Sequence, residues 1–133
     1  MPAHYSRIKG WKPDREQLAW SAGFADGEGS FFWAQYKIRH PRVRFELGQV
    51  NPEPLWRFRD ATGFGAPVNG PYGNTKADAK KPAQPQWTWA ISGFEDVQAL
   101  LAMLWPWLGT PKRKQATKIL MEARESYVND GPI

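Results

Sequence analysis

Cysteine is absent from this chain of 133 residues, and histidine occurs only twice. Without thiols there is neither a disulfide framework nor a thiolate metal site, and two imidazoles are too few for an ordinary zinc centre. A bound metal would have to be hard and oxygen-ligated. No run of about 18 consecutive apolar residues occurs, the length a membrane-spanning helix needs. The first 12 residues are polar and basic with no apolar h-region, so they do not read as a secretory signal. An intracellular protein is expected.

What the chain does have is aromatic mass and positive charge. Hydrophobic residues make up 41% of it, enough for the core of one domain. Its eight Trp residues assign nothing by themselves, because Trp serves cores and binding surfaces alike. A net charge of +5 favours an anionic partner, nucleic acid first among them. An ordinary basic enzyme is the competing reading.

The most informative segment is residues 18–31. Its first part reads as a helix in which Ala19, Gly23 and Gly27 recur on one stripe. Each interior glycine costs a helix about 1 kcal/mol relative to alanine. Close approach of another backbone is the usual reason to accept that cost. The approaching helix can belong to a second copy or to the same chain. Two acids, Asp26 and Glu28, follow among glycines, and then the aromatics Phe31, Phe32 and Trp33.

Residues 1–13 read as a flexible basic arm and 14–133 as a single domain. Asp14 caps a helix over 15–26, with Gln17 completing a capping-box-like pair. A strand is predicted over 30–39, with His40-Pro41 as the turn. Residues 42–50 alternate cleanly: Val43, Phe45 and Leu47 on one face, Arg42, Arg44 and Glu46 on the other. A short helix over 52–62 starts near Pro52 and ends before Gly63. Residues 63–85 hold an irregular strand near 66–69 and a long loop. The strand 86–92 turns Trp87, Trp89 and Ile91 inward and Gln86, Thr88 and Ala90 outward. A helix over 94–108 is broken at Pro106, and a last amphipathic helix over 112–128 packs through Ile119, Leu120, Ala123 and Tyr127. This order makes an α+β domain with helices on one face of an antiparallel sheet. The open face, with Arg42, Arg44, Glu46, Gln86 and Thr88, suits a major groove. It suits an ordinary solvated sheet face as well.

The segment Ser21-Ala22-Gly23-Phe24-Ala25-Asp26-Gly27-Glu28-Gly29, followed by Ser30-Phe31, resembles the signature of the LAGLIDADG homing endonucleases. Ile91-Ser92-Gly93, Pro106 and Lys112-Arg113-Lys114-Gln115-Ala116 extend the resemblance over about 15–125. It implies the αββαββα fold, with a saddle-shaped antiparallel sheet and helices on one face. One motif copy implies a homodimer joined through Ala19, Ala22, Gly23, Asp26 and Gly27. It implies site-specific double-strand cleavage of a long pseudo-palindromic DNA site, dependent on Mg²⁺ or Mn²⁺. Such a protein is encoded by a mobile element such as an intron. It would act in a bacterial or phage-infected cytoplasm or nucleoid, or in an organelle.

By the same resemblance Glu28, with Gly27 beside it, holds metal at the dimer axis. Gln49 positions water, and Lys112 stabilises the transition state, with Arg113 or Lys114 as candidates for the same role. Asp26 has a supporting role near the helix end, hydrogen-bonding local backbone, or is a simple solvated acid. The family arginine that follows the Gln49 position has no clear counterpart, because Glu53 sits near it; Arg57 and Arg59 are the candidate substitutes. Base reading falls to Arg42, Arg44, Glu46, Gln86 and Thr88. On the first strand it falls either to Gln35, Lys37 and Arg39, by polarity, or to Phe32, Ala34 and Tyr36, by carry-over from the motif; a bulge near Ala34 would reconcile the two. Asn69, Tyr72, Asn74 and Lys76 reach the outer base pairs. Two alternatives stand beside the endonuclease: an inactive nucleic-acid-binding relative, either an intron maturase or a DNA-binding regulator, and an aromatic-rich interaction module unrelated to nucleic acid.

Overall fold

A computed structural model describes residues 7–36, 39–73 and 84–130, and the side chains of 36, 39, 40 and 127–130 are not described. The elements are α1 (Arg15–Glu28), β1 (Gly29–Tyr36), β2 (Arg39–Gln49), α2 (Glu53–Thr62), β3 (Asn69–Tyr72), β4 (Gln86–Ser92), α3 (Phe94–Leu104) and α4 (Thr110–Asp130). A 3₁₀ turn, Trp105–Trp107, links the last two helices. The strands form one antiparallel sheet in the order β1-β2-β4-β3. The expected α+β class and element order hold.

Helix α1 starts where expected: Asp14 is extended and its carboxylate accepts the Gln17 N–H at 3.1 Å. The Gln17 side chain does not close a capping box; it accepts instead from Arg57 Nε. The helix runs two residues past the expected end, through Gly27 and Glu28, and passes without a loop into β1 at Gly29.

The alternation of β2 is realised: Val43, Phe45 and Leu47 are buried while Arg42, Arg44 and Glu46 are half-buried on the other face. Phe31 of β1 and Trp89 and Ile91 of β4 join the buried set. The helices cover this face with Leu18, Ala22, Leu55, Phe58, Val97, Leu104, Ala116 and Leu120. An aromatic cluster sits at the centre. The Phe45 ring lies 4.7 Å from Phe31 and 5.7 Å from Phe58, and Phe58 lies 5.3 Å from Trp89. The buried indole of Trp89 donates to the Ala66 carbonyl at 3.0 Å, which removes the penalty of an unpaired buried N–H.

Two local expectations change, and the bulge that would reconcile the two readings of β1 is present near Ala34. His40 and Pro41 lie within β2 rather than in a turn. Between Ala34↔Arg42 and Tyr36↔Arg39 the register slips, with one residue on β1 facing two on β2. Pro41 is one of those two and has no N–H to give the ladder, which accounts for the bulge. The third strand lies at Asn69–Tyr72, not at 66–69, and all four of its residues are exposed, so no burial pattern marks it in the sequence.

Residues 7–11 are not a flexible arm. The end of α2 leaves carbonyls without intrahelical donors, and this segment supplies them. Ile8 N–H donates to Gly63 O at 2.8 Å, Arg7 Nη1 to Thr62 O at 2.9 Å and Trp11 Nε1 to Ala61 O at 3.0 Å. The Arg7 guanidinium also stacks 4.0 Å from the Phe64 ring centre. Gly63, in the left-handed region at φ 77°, closes α2, and a Cβ there would meet the Trp11 ring at 2.6 Å.

Two stability effects follow from these contacts. Trp11→Ala should lower the unfolding free energy by about 2 kcal/mol, since it removes a packed ring and a hydrogen bond. Gly29→Ala should lower it by about 1–3 kcal/mol, because the added Cβ lies 2.6 Å from Phe45 ring atoms and 2.9 Å from the Ala25 carbonyl. Urea denaturation followed by circular dichroism checks both; an unchanged midpoint for Trp11→Ala would mean that the segment does not hold α2.

Candidate active site and nucleic-acid interface

The last turn of α1 carries acids and no basic residue. Carboxylates at a helix C-terminus oppose the dipole and cost about 0.3–1 kcal/mol each. The two acids meet this cost differently. Asp26 accepts the Gly109 N–H on both oxygens at 3.0 Å. Its supporting role is therefore a link to the turn before α4, 83 residues away, and not to local backbone. Glu28 is exposed and has no hydrogen bond or ion pair among the described residues.

Positive charge arrives beside Glu28 from α4. Lys112 Nζ donates to the carbonyl of Gly29, the next residue, at 2.6 Å. Gln115 Oε1 accepts the Phe31 N–H at 3.0 Å and so fixes α4 along the start of β1. The neighbouring basic groups point elsewhere. Arg113 Nη2 donates to Trp105 O at 2.6 Å with its guanidinium 4.7 Å from that ring, and Lys114 is exposed. Of the three candidates, Lys112 is the one tied to the α1–β1 junction. Gln49 ends β2 on the same side: Leu47 pairs with Gly29, and Gln49 stands two residues beyond it.

Arg57 and Arg59 do not join this group. Arg57 donates to Gln17 Oε1 at 2.9 Å and stacks 4.0 Å from the Trp20 ring centre, towards the other end of α1. Arg59 donates to Ala66 O and pairs with Asp60.

No cluster of three His, Asp or Glu side chains that would hold a metal occurs among the described residues. A hard cation such as Mg²⁺ needs only one or two carboxylates, its other positions going to water and substrate phosphate. Glu28 is an exposed carboxylate of that kind.

The small-residue stripe divides. A Cβ built on Gly23 or on Gly27 meets nothing within 4 Å, and both glycines are exposed, so packing among the described residues gives no reason for them. Ala19, half-buried, lies on the same stripe. Ala22 does not: it is fully buried in the chain's own core beside Leu18 and Ala25, so its expected place in a dimer interface is corrected. At 100° per residue, position 22 turns inward when 23 turns out.

The open sheet face is built from cross-strand partners. Ser30 lies beside Glu46, Phe32 beside Arg44 and Ala34 beside Arg42; on the other side Ser92 lies beside Arg44 and Ala90 beside Glu46. Phe32 and Ala34 therefore share the face of the arginines, as the motif carry-over expects, and Gln35 falls at the bulge. Thr88 and Gln86 pair with Asn69 and Tyr72 of β3, and Tyr72 is 61% exposed. The backbones of Tyr36 and Arg39 pair with each other. Lys37, Asn74 and Lys76 lie outside the described residues. Ser92, part of the Ile91-Ser92-Gly93 match but absent from the expected site, accepts from Arg44 Nη1 at 3.0 Å. Only the β2–β4 register reveals it.

No protein-family model and no curated protein matches the chain. Solved structures do. The homing endonuclease I-CvuI in complex with the I-CreI target superposes with a TM-score of 0.60 at 22% identity, covering 80% of this chain and 65% of that one. The homing endonuclease I-TnaI gives 0.59 at 20% identity over 83% and 76%. The group I intron-encoded homing endonuclease I-CeuI, complexed with DNA, gives 0.61 at 11% identity over 92% and 60%. The chain spans just under two thirds of the length of I-CvuI. No helix among the described residues is long and apolar enough to cross a membrane. At these identities the likeness is one of architecture, and the chain has the LAGLIDADG homing-endonuclease fold.

Proposed function

We propose that two copies of this chain form a DNA endonuclease that makes a metal-dependent double-strand break in a long, pseudo-palindromic site. The observation that carries this reading is the end of α1. There an exposed Glu28, without a partner among the described residues, sits one residue from the carbonyl that holds Lys112, on a helix whose glycine stripe faces open space. Folding alone explains neither an unpaired acid at a negative helix end nor two glycines with nothing across from them.

Two such helices in contact through Ala19, Gly23 and Gly27 bring one Glu28 from each copy to the two-fold axis. A two-fold protein reads a roughly palindromic site. Glu28, with Gly27 beside it, would hold Mg²⁺ or Mn²⁺. When bound, such a metal stabilises charge on a phosphate and lowers the pKa of a coordinated water. The chain's own groups do the rest. The Lys112 ammonium, fixed on the Gly29 carbonyl, sets positive charge where a phosphodiester gains negative charge during attack. The Gln49 amide, able to donate and to accept, orients the attacking water. The open face of the sheet, with Arg42, Arg44, Gln86 and Thr88, lies against the duplex, and phosphate contacts make that binding salt-dependent.

Selection from a randomised duplex library with Mg²⁺ tests the reading directly, and recovery of bound but uncut DNA would mark a binding protein on the same fold. Glu28→Gln should reduce cleavage by at least about 10³-fold while DNA affinity stays within a few-fold. Equal loss of cleavage and binding would remove the metal role. Gly23→Leu should keep the circular dichroism spectrum, since nothing among the described residues lies within 4 Å of that Cβ, yet sediment at half the mass of the parent protein. A Gly23→Leu protein that still sediments as a dimer would show that α1 is not the interface.

A further inference from the structure

Arg44 stands in the middle of the open sheet face, between Phe32 on β1 and Ser92 on β4. Its guanidinium is held on two edges. Nε and Nη2 donate to a single Glu46 oxygen at 3.2 and 3.1 Å, and Nη1 donates to Ser92 Oγ at 3.0 Å. The Arg44 and Glu46 side chains are only 30% and 40% exposed. An arginine on an open face normally samples many rotamers, which hold roughly 2 kcal/mol of entropy. Here that freedom is lost before any ligand arrives.

Two consequences follow. The ion pair cancels the charge of Arg44, which makes it a poor counter-charge for a phosphate. The brace also leaves one hydrogen on each of Nη1 and Nη2 outside these bonds, so two donors remain on adjacent nitrogens. In the major groove, paired acceptors of that spacing belong to guanine, at O6 and N7. Phe32, Ala34 and Ala90 carry no side-chain hydrogen-bonding group, and the guanidinium of Arg42, two residues back on the same face, lies against Gly93.

We propose that Arg44 reads a guanine in each half-site, and that Glu46 and Ser92 are positioning residues that hold its fork and do not themselves read bases. This rests on the sheet being a DNA-reading face. Arg44 then supplies sequence preference, and it adds nothing to the salt dependence of binding. A well-placed bidentate contact is worth roughly 5- to 150-fold between the right base and the wrong one.

The experiment is a selection from randomised duplex DNA in Ca²⁺, read as base preference at each position. It uses the parent protein and the variants Arg44→Gln, Glu46→Ala, Ser92→Ala and Ser92→Thr. The parent should recover a guanine at one position per half-site, and Arg44→Gln should abolish that preference alone. Glu46→Ala and Ser92→Ala should weaken the same position by about tenfold with the other positions intact, and Ser92→Thr, which keeps the hydroxyl, should restore it. The proposal is overturned if Glu46→Ala alters a different position, or if either brace variant flattens all positions together. It is also overturned if Arg44→Gln leaves the base pattern intact and lowers the salt slope by about 0.9, as loss of a phosphate contact would. A parent protein that binds DNA but selects no sequence would instead remove the reading of the sheet as a recognition face.

Discussion

The structure hangs on one residue with no side chain. Gly29 is the last cap of α1 and the first residue of β1, and its N–H closes the helix on the Ala25 carbonyl. The Phe45 ring occupies the place where a Cβ would stand. Its carbonyl receives Lys112, and its strand partner is Leu47, two residues before Gln49. A larger residue here would push helix from strand, and three distant parts of the chain would lose their common reference point. Close packing transmits such a shift because a core has few voids to absorb it.

From that junction the chain sorts its two kinds of surface. One side of α1 and one face of the sheet close on an aromatic core in which Phe45, Phe58 and Trp89 meet. The opposite sides stay open and are unlike ordinary solvated surface. On α1 the open side carries glycines with free space above them; on the sheet it carries a braced arginine flanked by Phe32 and Ser92. Helix propensity is given up on one and side-chain freedom on the other, and neither loss stabilises the monomer. Stability is supplied elsewhere, partly by residues 7–11, which satisfy the carbonyls at the end of α2.

The elements with regular periodicity were legible from the residues alone. The alternation in β2 and β4, the Asp14 cap, the Gly63 stop and the break at Pro106 are local signals, each acting within a few residues. Elements whose cause is distant were not legible. The strand Asn69–Tyr72 has no buried face to write a pattern. Arg7 and Trp11 look like part of a basic tail until the unpaired end of α2 lies beside them. The bulge near Ala34 could be offered from β1 only to reconcile two readings of its faces, because Pro41, which accounts for it, lies on the partner strand.

The candidate site divides in the same way. The residue sequence by itself determined that Glu28 lies at or just past the end of a glycine-bearing helix, that a basic segment lies far along the chain, and that arginines share one strand face. Each follows from helical or strand geometry, which depends on neighbours in sequence. Only the tertiary structure decided the rest. It set the Lys112 ammonium on the Gly29 carbonyl and the Arg113 guanidinium on Trp105. It tied Asp26 to Gly109, turned Ala22 inward and set Ser92 beside Arg44. These are choices between side chains of similar character, and a hydrogen bond of 3 Å discriminates among them where composition and spacing do not.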